Sequence, residues 1–178
     1  YFVGYSLPAT TLVYDITSQR WHERKSFLDG SLGAFRVASV VKAYNRILCG
    51  DIIDGRIGEL TDDVYTEYGN NIIRRISTQP FQNNMQSLFV PNIELTIESG
   101  VGNEDAPDPQ ITLERSKDGK TWSGGISRSM GQVGDYTRRA IWRRNGRAAR
   151  FEIFRFTLSD PVKPVIIQLT AEVIGGDK

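Results

Sequence analysis

Ala140-Ile-Trp-Arg-Arg-Asn-Gly-Arg-Ala-Ala-Arg-Phe-Glu-Ile-Phe154 sets two strand-like runs, Ala140 to Trp142 and Phe151 to Phe154, on either side of Asn145-Gly146. Both residues of that dipeptide tolerate positive φ, so its place between two such runs predicts a β-hairpin. Arg128, Arg138, Arg139, Arg143, Arg144, Arg147, Arg150 and Arg155 crowd the same region, against Asp135 and Glu152 as its only acids. The local charge is about +6, a field that attracts phosphate or acidic protein. From Pro91 to Gly119 the balance reverses, with Glu94, Glu98, Glu104, Asp105, Asp108, Glu114 and Asp118 against Arg115 and Lys117. Segments of opposite sign suit a protein that docks against copies of itself or lines a charged passage, and equally one that coats nucleic acid.

The rest of the chain reads as strand as well. Its 178 residues, 39% hydrophobic content, 17 glycines and formal net charge of +1 fit a globular chain with a sizeable core and many turns. No apolar run is long enough to span a bilayer as a helix. The opening Tyr1-Phe2-Val3-Gly4 lacks a methionine and a basic leader, and reads as an excerpt from a longer polypeptide. Period-two alternation predicts strands at 1–6, 11–16, 21–25, 36–42, 46–52 and 56–60, with Tyr44-Asn45 and Asp54-Gly55 as turns. Further strands are predicted at 72–77, 87–98, 110–115, 122–128, 136–143, 151–158 and 165–173. The longest connection is 99–109, polar and broken by two prolines. The expected architecture is all-β: kelch-like, partial β-propeller blade strands over 1–66, then an antiparallel β-sandwich or jelly-roll-like domain over 67–178.

Two local patterns have a structural meaning. In Thr11 to Trp21 a hydrophobic strand enters a turn begun by Asp15, and Trp21 opens the next strand. Blades use such an Asp to cap the turn and the Trp to fill the space between neighbours; any hairpin with a buried Trp reads the same way. Ser116-Lys-Asp118-Gly119-Lys-Thr121-Trp122 is one residue short of the Asp-box turn of sialidase-like propellers. It is expected to be a two-residue or bulged hairpin turn at Asp118-Gly119, with Trp122 in the core.

Catalytic chemistry finds little purchase, and the chain is read as a non-enzyme without cofactor or metal. His22 is the single histidine, so no paired-His metal site or alternative His-based triad exists. Gly-x-Ser-x-Gly, Walker and dinucleotide patterns are missing, and the acids near Gly100 and Gly102 lack calcium-loop spacing. Cys49 is expected to be buried in the strand Ile47-Leu48-Cys49. If Trp142 points inward, alternation puts Ala140 and Arg138 on its side, where Arg138 can stack on indole. Arg139, Arg143, Arg144 and Arg147 are then the candidates for facing a partner or DNA.

In order along the chain stand Gly55-Arg-Ile-Gly-Glu-Leu-Thr-Asp-Asp-Val-Tyr-Thr-Glu-Tyr-Gly69, Ile73-Arg-Arg-Ile-Ser-Thr-Gln-Pro80, Ser116-Lys-Asp-Gly-Lys-Thr-Trp-Ser123, Gly134-Asp-Tyr-Thr-Arg-Arg-Ala-Ile-Trp-Arg-Arg144 and Ser159-Asp-Pro-Val162. This series resembles the C-terminal half of the packaged-DNA stabilisation proteins of short-tailed bacteriophages, also called tail accessory factors or nozzle proteins. Tyr136-x-x-Arg139-x-x-Trp142-Arg-Arg is its most specific element; Asn145-Gly146-Arg147 departs from the leucine and glycine common there. The resemblance implies a structural virion protein of the tail, assembled in the host bacterial cytoplasm. It implies a ring, usually hexameric, at the head-to-tail connector, which helps retain DNA once the head is full. Implied neighbours are portal or connector, tail-needle and tail-fibre proteins, with double-stranded DNA in the channel. The alternatives are a direct nucleic-acid-binding module using the basic hairpin 136–155, with Tyr136 or Trp142 stacking on bases, and a tail-associated glycan-binding or glycosidase domain.

Overall fold

The computed structural model describes residues 2–7, 10–28, 30–84 and 86–176, the first of these segments by its backbone alone. Tyr1, part of the first expected strand, lies outside the described residues. Every helix-or-strand element among the described residues is a β-strand. The chain divides into two compact units, Tyr1–Ile73 and Arg74–Lys178.

In the first unit β1 (Phe2–Leu7), β2 (Thr10–Asp15), β3 (Arg20–Leu28) and β4 (Ser31–Ala34) form an antiparallel meander in that order. The fourth strand was not expected; Ser31-Leu-Gly-Ala34 is too short and too glycine-rich to alternate visibly. A second meander joins β5 (Val37–Ala43), β6 (Arg46–Asp51) and β7 (Ile57–Glu59). Its first turn is Tyr44-Asn45, both at positive φ (50° and 60°), between the paired residues Ala43 and Arg46. That is the two-residue geometry whose twist matches the flanking strands.

A short hairpin, β8 (Thr66–Glu67) with β9 (Asn70–Asn71), completes the unit. Ser26 Oγ donates to Glu67 Oε1 at 2.8 Å. The guanidinium groups of Arg36 and Arg56 lie 4.6 and 4.3 Å from the Tyr68 ring centroid. These contacts tie 66–71 to the preceding strands, within the unit Tyr1–Ile73.

The interior of this unit is polar. Val13 and Cys49 are its only fully buried hydrophobic residues among those described, whereas Ser26, Arg36 and Asp51 are buried as well. Arg36 pairs with Asp51, with side chains 2% and 0% exposed, and its Nη2 reaches Asp54 Oδ2 at 3.0 Å. A buried pair of this kind gains little over apolar packing, but losing one partner strands a charge. Asp51→Ala is therefore expected to cost about 3–5 kcal/mol in urea unfolding, and Arg36→Met with Asp51→Leu together to recover most of it.

The second unit contains β10 (Arg74–Ser77), β11 (Phe81–Gln82), β12 (Leu88–Phe89), β13 (Asn92–Ile97), β14 (Gln110–Ser116), β15 (Ile126–Ser129), β16 (Ala140–Arg143), β17 (Arg147–Ala148), β18 (Phe151–Leu158), β19 (Ile166–Ala171) and β20 (Ile174–Gly175). One sheet runs β10-β18-β14-β15, with β11 also on β18; another runs β16-β13-β19, and a small one β17-β12-β20. The expected strand 87–98 breaks at Val90-Pro91, because proline has no N–H to give the ladder.

In β18, Glu152, Phe154, Phe156 and Leu158 are buried while the intervening residues are half-buried. Ile111 and Leu113 of β14 join them, and Ile93, Leu95, Ile97, Ala140 and Trp142 supply the facing sheet. The Trp142 and Phe156 rings lie 5.5 Å apart at 59° across the core. Trp142 also satisfies its one polar atom, Nε1 donating to the Ile126 carbonyl at 2.7 Å.

Candidate functional site

Asn145-Gly146 is not a hairpin tip. β16 pairs with β13, Asn92 opposite Arg143, whereas β18 pairs with β14, β10 and β11. Segment 144–150 thus crosses from one sheet to the other, and its arginines do not share a ribbon. Positive φ falls on Arg144 (60°) and Gly146 (85°), not on adjacent Asn and Gly as the two-residue turn requires. Asn145 is 3% exposed, and its Nδ2 donates to the Trp142 carbonyl at 3.0 Å. The backbone bonds to Val90 and Pro91: Arg144 N to Pro91 O at 2.7 Å, Asn145 N to Val90 O at 3.2 Å and Val90 N to Gly146 O at 3.2 Å. Burial decides between the two arrangements. Trp142 and Phe154 both seek the interior, and facing sheets bury both where a paired hairpin leaves a face uncovered.

The fold sorts the arginines. Arg139 makes a bidentate pair with Glu94, 2.7 and 2.6 Å, which holds that carboxyl below its usual range. Arg155 grips Glu114 in the same way at 2.8 and 2.9 Å and lies 3.8 Å from the Trp122 ring centroid. Arg155's hydrogen bond likewise lowers the Glu114 pKa. Arg128 Nε donates to the Ile141 carbonyl at 2.8 Å, covering the open edge of β16. Arg138 precedes the strand instead of sharing the Trp142 face, and pairs with Asp135 at 3.2 Å. Arg143, Arg144 and Arg147 are exposed and make no ion pair among the described residues. The acids Glu94 and Glu114 thus neutralise part of the positive segment inside one copy; their role depends on strand register, which no local motif reveals.

Two of the unpaired arginines, Arg143 and Arg144, wall with Gly146 a shallow open groove of about 450 Å³ floored by Phe89 to Asn92, and Arg147 stands opposite Phe89 on the neighbouring strand. A second hollow, of about 310 Å³, shares Asn92 and Arg143 and continues it over Glu94, Arg139, Thr170 and Glu172, the last of which accepts from Asn92 Nδ2. Such an apolar floor under unneutralised guanidinium groups favours a ligand that carries negative charge beside an apolar group.

The remaining singled-out residues shape turns. Asp15 accepts from Thr17 N (2.9 Å) and Ser18 Oγ (2.6 Å), and the Ser18 bond leads in lowering its pKa. Trp21 is 56% exposed, not buried, with its ring tilted against Tyr14 at 5.0 Å. Asp118 accepts from Thr121 Oγ1 (2.7 Å), Thr121 N and Lys120 N (both 2.8 Å), while Ser116 Oγ accepts from Gly119 N at 2.8 Å. These bonds, Thr121's first, hold the Asp118 carboxyl far below its usual range. The turn is longer than two residues, since β15 begins at Ile126, and Trp122 is half-buried under Arg155 rather than in the core. Trp142 is only 1% exposed, so it offers no face for stacking on bases. Among the described residues no group of acids, histidine and cysteine is placed to hold a metal ion.

Glu152, on the core face of β18, is 1% exposed; Arg115 Nη1 stands 3.6 Å from Oε1, and Oε2 finds no hydrogen-bond partner among the described residues. Burial raises its pKa above 4.5, with Arg115 offsetting only part. The folded state therefore keeps this proton to higher pH than the unfolded chain, and the contribution to stability falls as pH climbs from about 4.5 through the raised folded value. Glu152→Gln is expected to flatten that fall in urea midpoints taken from pH 4.5 to neutrality; an unchanged slope contradicts the assignment.

A comparison with curated proteins finds no match. Residues 73–174, more than half of the chain and nearly all of the second unit, match the family model described as bacteriophage P22 Gp10, beta-sandwich. The facing sheets of the second unit agree with that β-sandwich description, and the chain belongs to the bacteriophage P22 Gp10 β-sandwich family, structural components of the phage tail.

Proposed function

We propose that the chain is part of a head-to-tail connector or nozzle ring of a phage tail, which helps retain packaged DNA after head filling and provides docking surfaces for other tail proteins. The observation that carries this reading is the set of unpaired arginines, Arg143, Arg144 and Arg147, gathered at one end of the β-sandwich in a phage structural family. Cations left unneutralised by their own fold, on a scaffold packed around Trp142, are suited to holding an acidic partner or DNA. Their role is binding and not chemistry, so the chain acts without enzymatic activity, metal or cofactor.

The first unit supports a place in a larger β-assembly. Its two meanders have the up-and-down connectivity of propeller blades. Val40, Val41, Ile47 and Ile57, on strands, are more than 40% exposed, as strand faces are when adjoining blades are what cover them. In this reading the copies form a ring, of six by the family resemblance, beside portal, tail-needle and tail-fibre proteins. They assemble in the host cytoplasm and remain in the virion.

Charge reversal at Arg143, Arg144 and Arg147 in the complete protein tests the proposal. These side chains are exposed, so folding stability is expected to stay within about 0.5 kcal/mol. Particles carrying the variant are expected to lose packaged DNA, read as the ratio of full to empty heads; an unchanged ratio with complete tails contradicts it. Direct phosphate contact by the same arginines predicts binding of duplex DNA that weakens with salt at a log-log slope of about 0.9 per phosphate neutralised. DNA binding that is undetectable at low salt assigns the arginines to protein docking.

A further inference from the structure

The acidic loop and the arginine groove stand at opposite ends of the same strand. β13 starts at Asn92, opposite Arg143, and ends at Ile97, after which the chain enters the loop 98–109. Six residues of strand separate the ends by roughly 17 Å at about 3.3 Å per residue. Lys117, Lys120 and Arg150, all exposed, follow or precede strand ends on the groove side and add to its positive sign. The second unit is therefore a polarised block.

Elimination isolates the groups at each end. Of the acids between 91 and 119, Glu94, Glu98 and Glu114 face basic partners within the copy, and Asp118 is spent on its own turn. Asp108 bonds Ser129 Oγ and Gln110 Nε2. Glu104 and Asp105 remain, exposed and without an ion pair among the described residues. Their loop is stiff: Asn103 N donates to the Ala106 carbonyl at 3.0 Å, Ala106 N to Asn103 Oδ1 at 2.7 Å and Asn103 Nδ2 to the Pro161 carbonyl at 2.8 Å. A Cβ on Gly102 would stand 2.4 Å from the Pro107 carbonyl oxygen, so this turn closes tightly on itself. A pre-organised loop loses little freedom on docking.

We propose that Glu104 and Asp105 of one copy seat on Arg143, Arg144 and Arg147 of a second copy, with the exposed Pro107 against the floor formed by Phe89 and Pro91. Two exposed acids followed by the exposed Pro107 complement the arginine walls and apolar floor of the groove, while Ala106 packs on its own core. Because the two features lie at opposite ends, one copy cannot satisfy both by itself. The contact is heterologous, joining different surfaces of successive copies, and this arrangement closes into a ring when the rotation between copies permits. The inference rests on the ring reading above and gives it a specific contact.

Sedimentation of the full chain at low ionic strength, across a concentration series, measures the association. Glu104→Arg with Asp105→Arg, and separately Arg143→Glu with Arg144→Glu, are each expected to weaken it at least tenfold, as is raising the salt. All four changes in one chain are expected to restore it, since the reversed charges again meet their opposites. Unchanged association in either two-site variant overturns the proposal. So does failure of the four-site variant to recover while its circular dichroism matches wild type. Particles that lose DNA on arginine reversal but not on Glu104 and Asp105 reversal overturn the loop contact and leave the retention reading standing. Retention unaffected by both, with the charge-swap rescue intact in solution, removes that reading and leaves the contact.

Discussion

Burial of Trp142 against the Phe154 and Phe156 strand is the constraint on which the second unit depends. Each of those aromatic side chains gains about 1.5–3 kcal/mol from leaving water, and facing sheets let all of them do so at once. The chain must then cross between sheets over 144–150 instead of reversing within one. Asn145, turned inward onto the Trp142 carbonyl, and Arg144 and Gly146 at positive φ make that crossing possible. Its backbone is paired with Val90 and Pro91, so the irregular segment is held like a strand.

From that crossing follows the distribution of charge. Bringing β16 beside β13 places Arg139 on Glu94, and bringing β18 beside β14 places Arg155 on Glu114. Pairs of this kind consume charges that the linear sequence shows as excess. The unpaired cations sit where the chain leaves β16 for the other sheet, and among the described residues they make no ion pair. A long charged run thus overstates the field of the folded protein, while its remnant is more sharply localised. The first unit solves a different problem, with a polar interior built on Arg36 and Asp51 and much of its apolar surface exposed.

All-β architecture was legible because alternation at 92–97, 110–116 and 151–158 is strong and turn residues punctuate it. The sandwich and its family followed from those strands and from ordered motifs, and the match over residues 73–174 rests on the same stretch. Pairing was less legible. Asn-Gly at 145–146 carries a hairpin signal that tertiary burial overrides, whereas Tyr44-Asn45 obeys the local rule, with Ala43 and Arg46 paired across it. Trp21, Trp122 and Trp142 look alike as sequence, yet they are exposed, half-buried and buried respectively, since strand position and not residue type decides. Glu94 and Glu114 could not be recognised as partners of Arg139 and Arg155 before the register was known.

Cross-strand backbone contacts of Ala140 to Arg143 test this account most directly. Nuclear magnetic resonance of an isotopically labelled chain resolves which strand lies beside them, through NOEs between facing amide and α protons. The predicted result is contact of Trp142 with Ile93 and of Ala140 with Leu95. Contacts of Ala140 to Arg143 with Phe151 to Phe154 in a ladder closed at Asn145-Gly146 would contradict it, returning the arginines to one continuous hairpin.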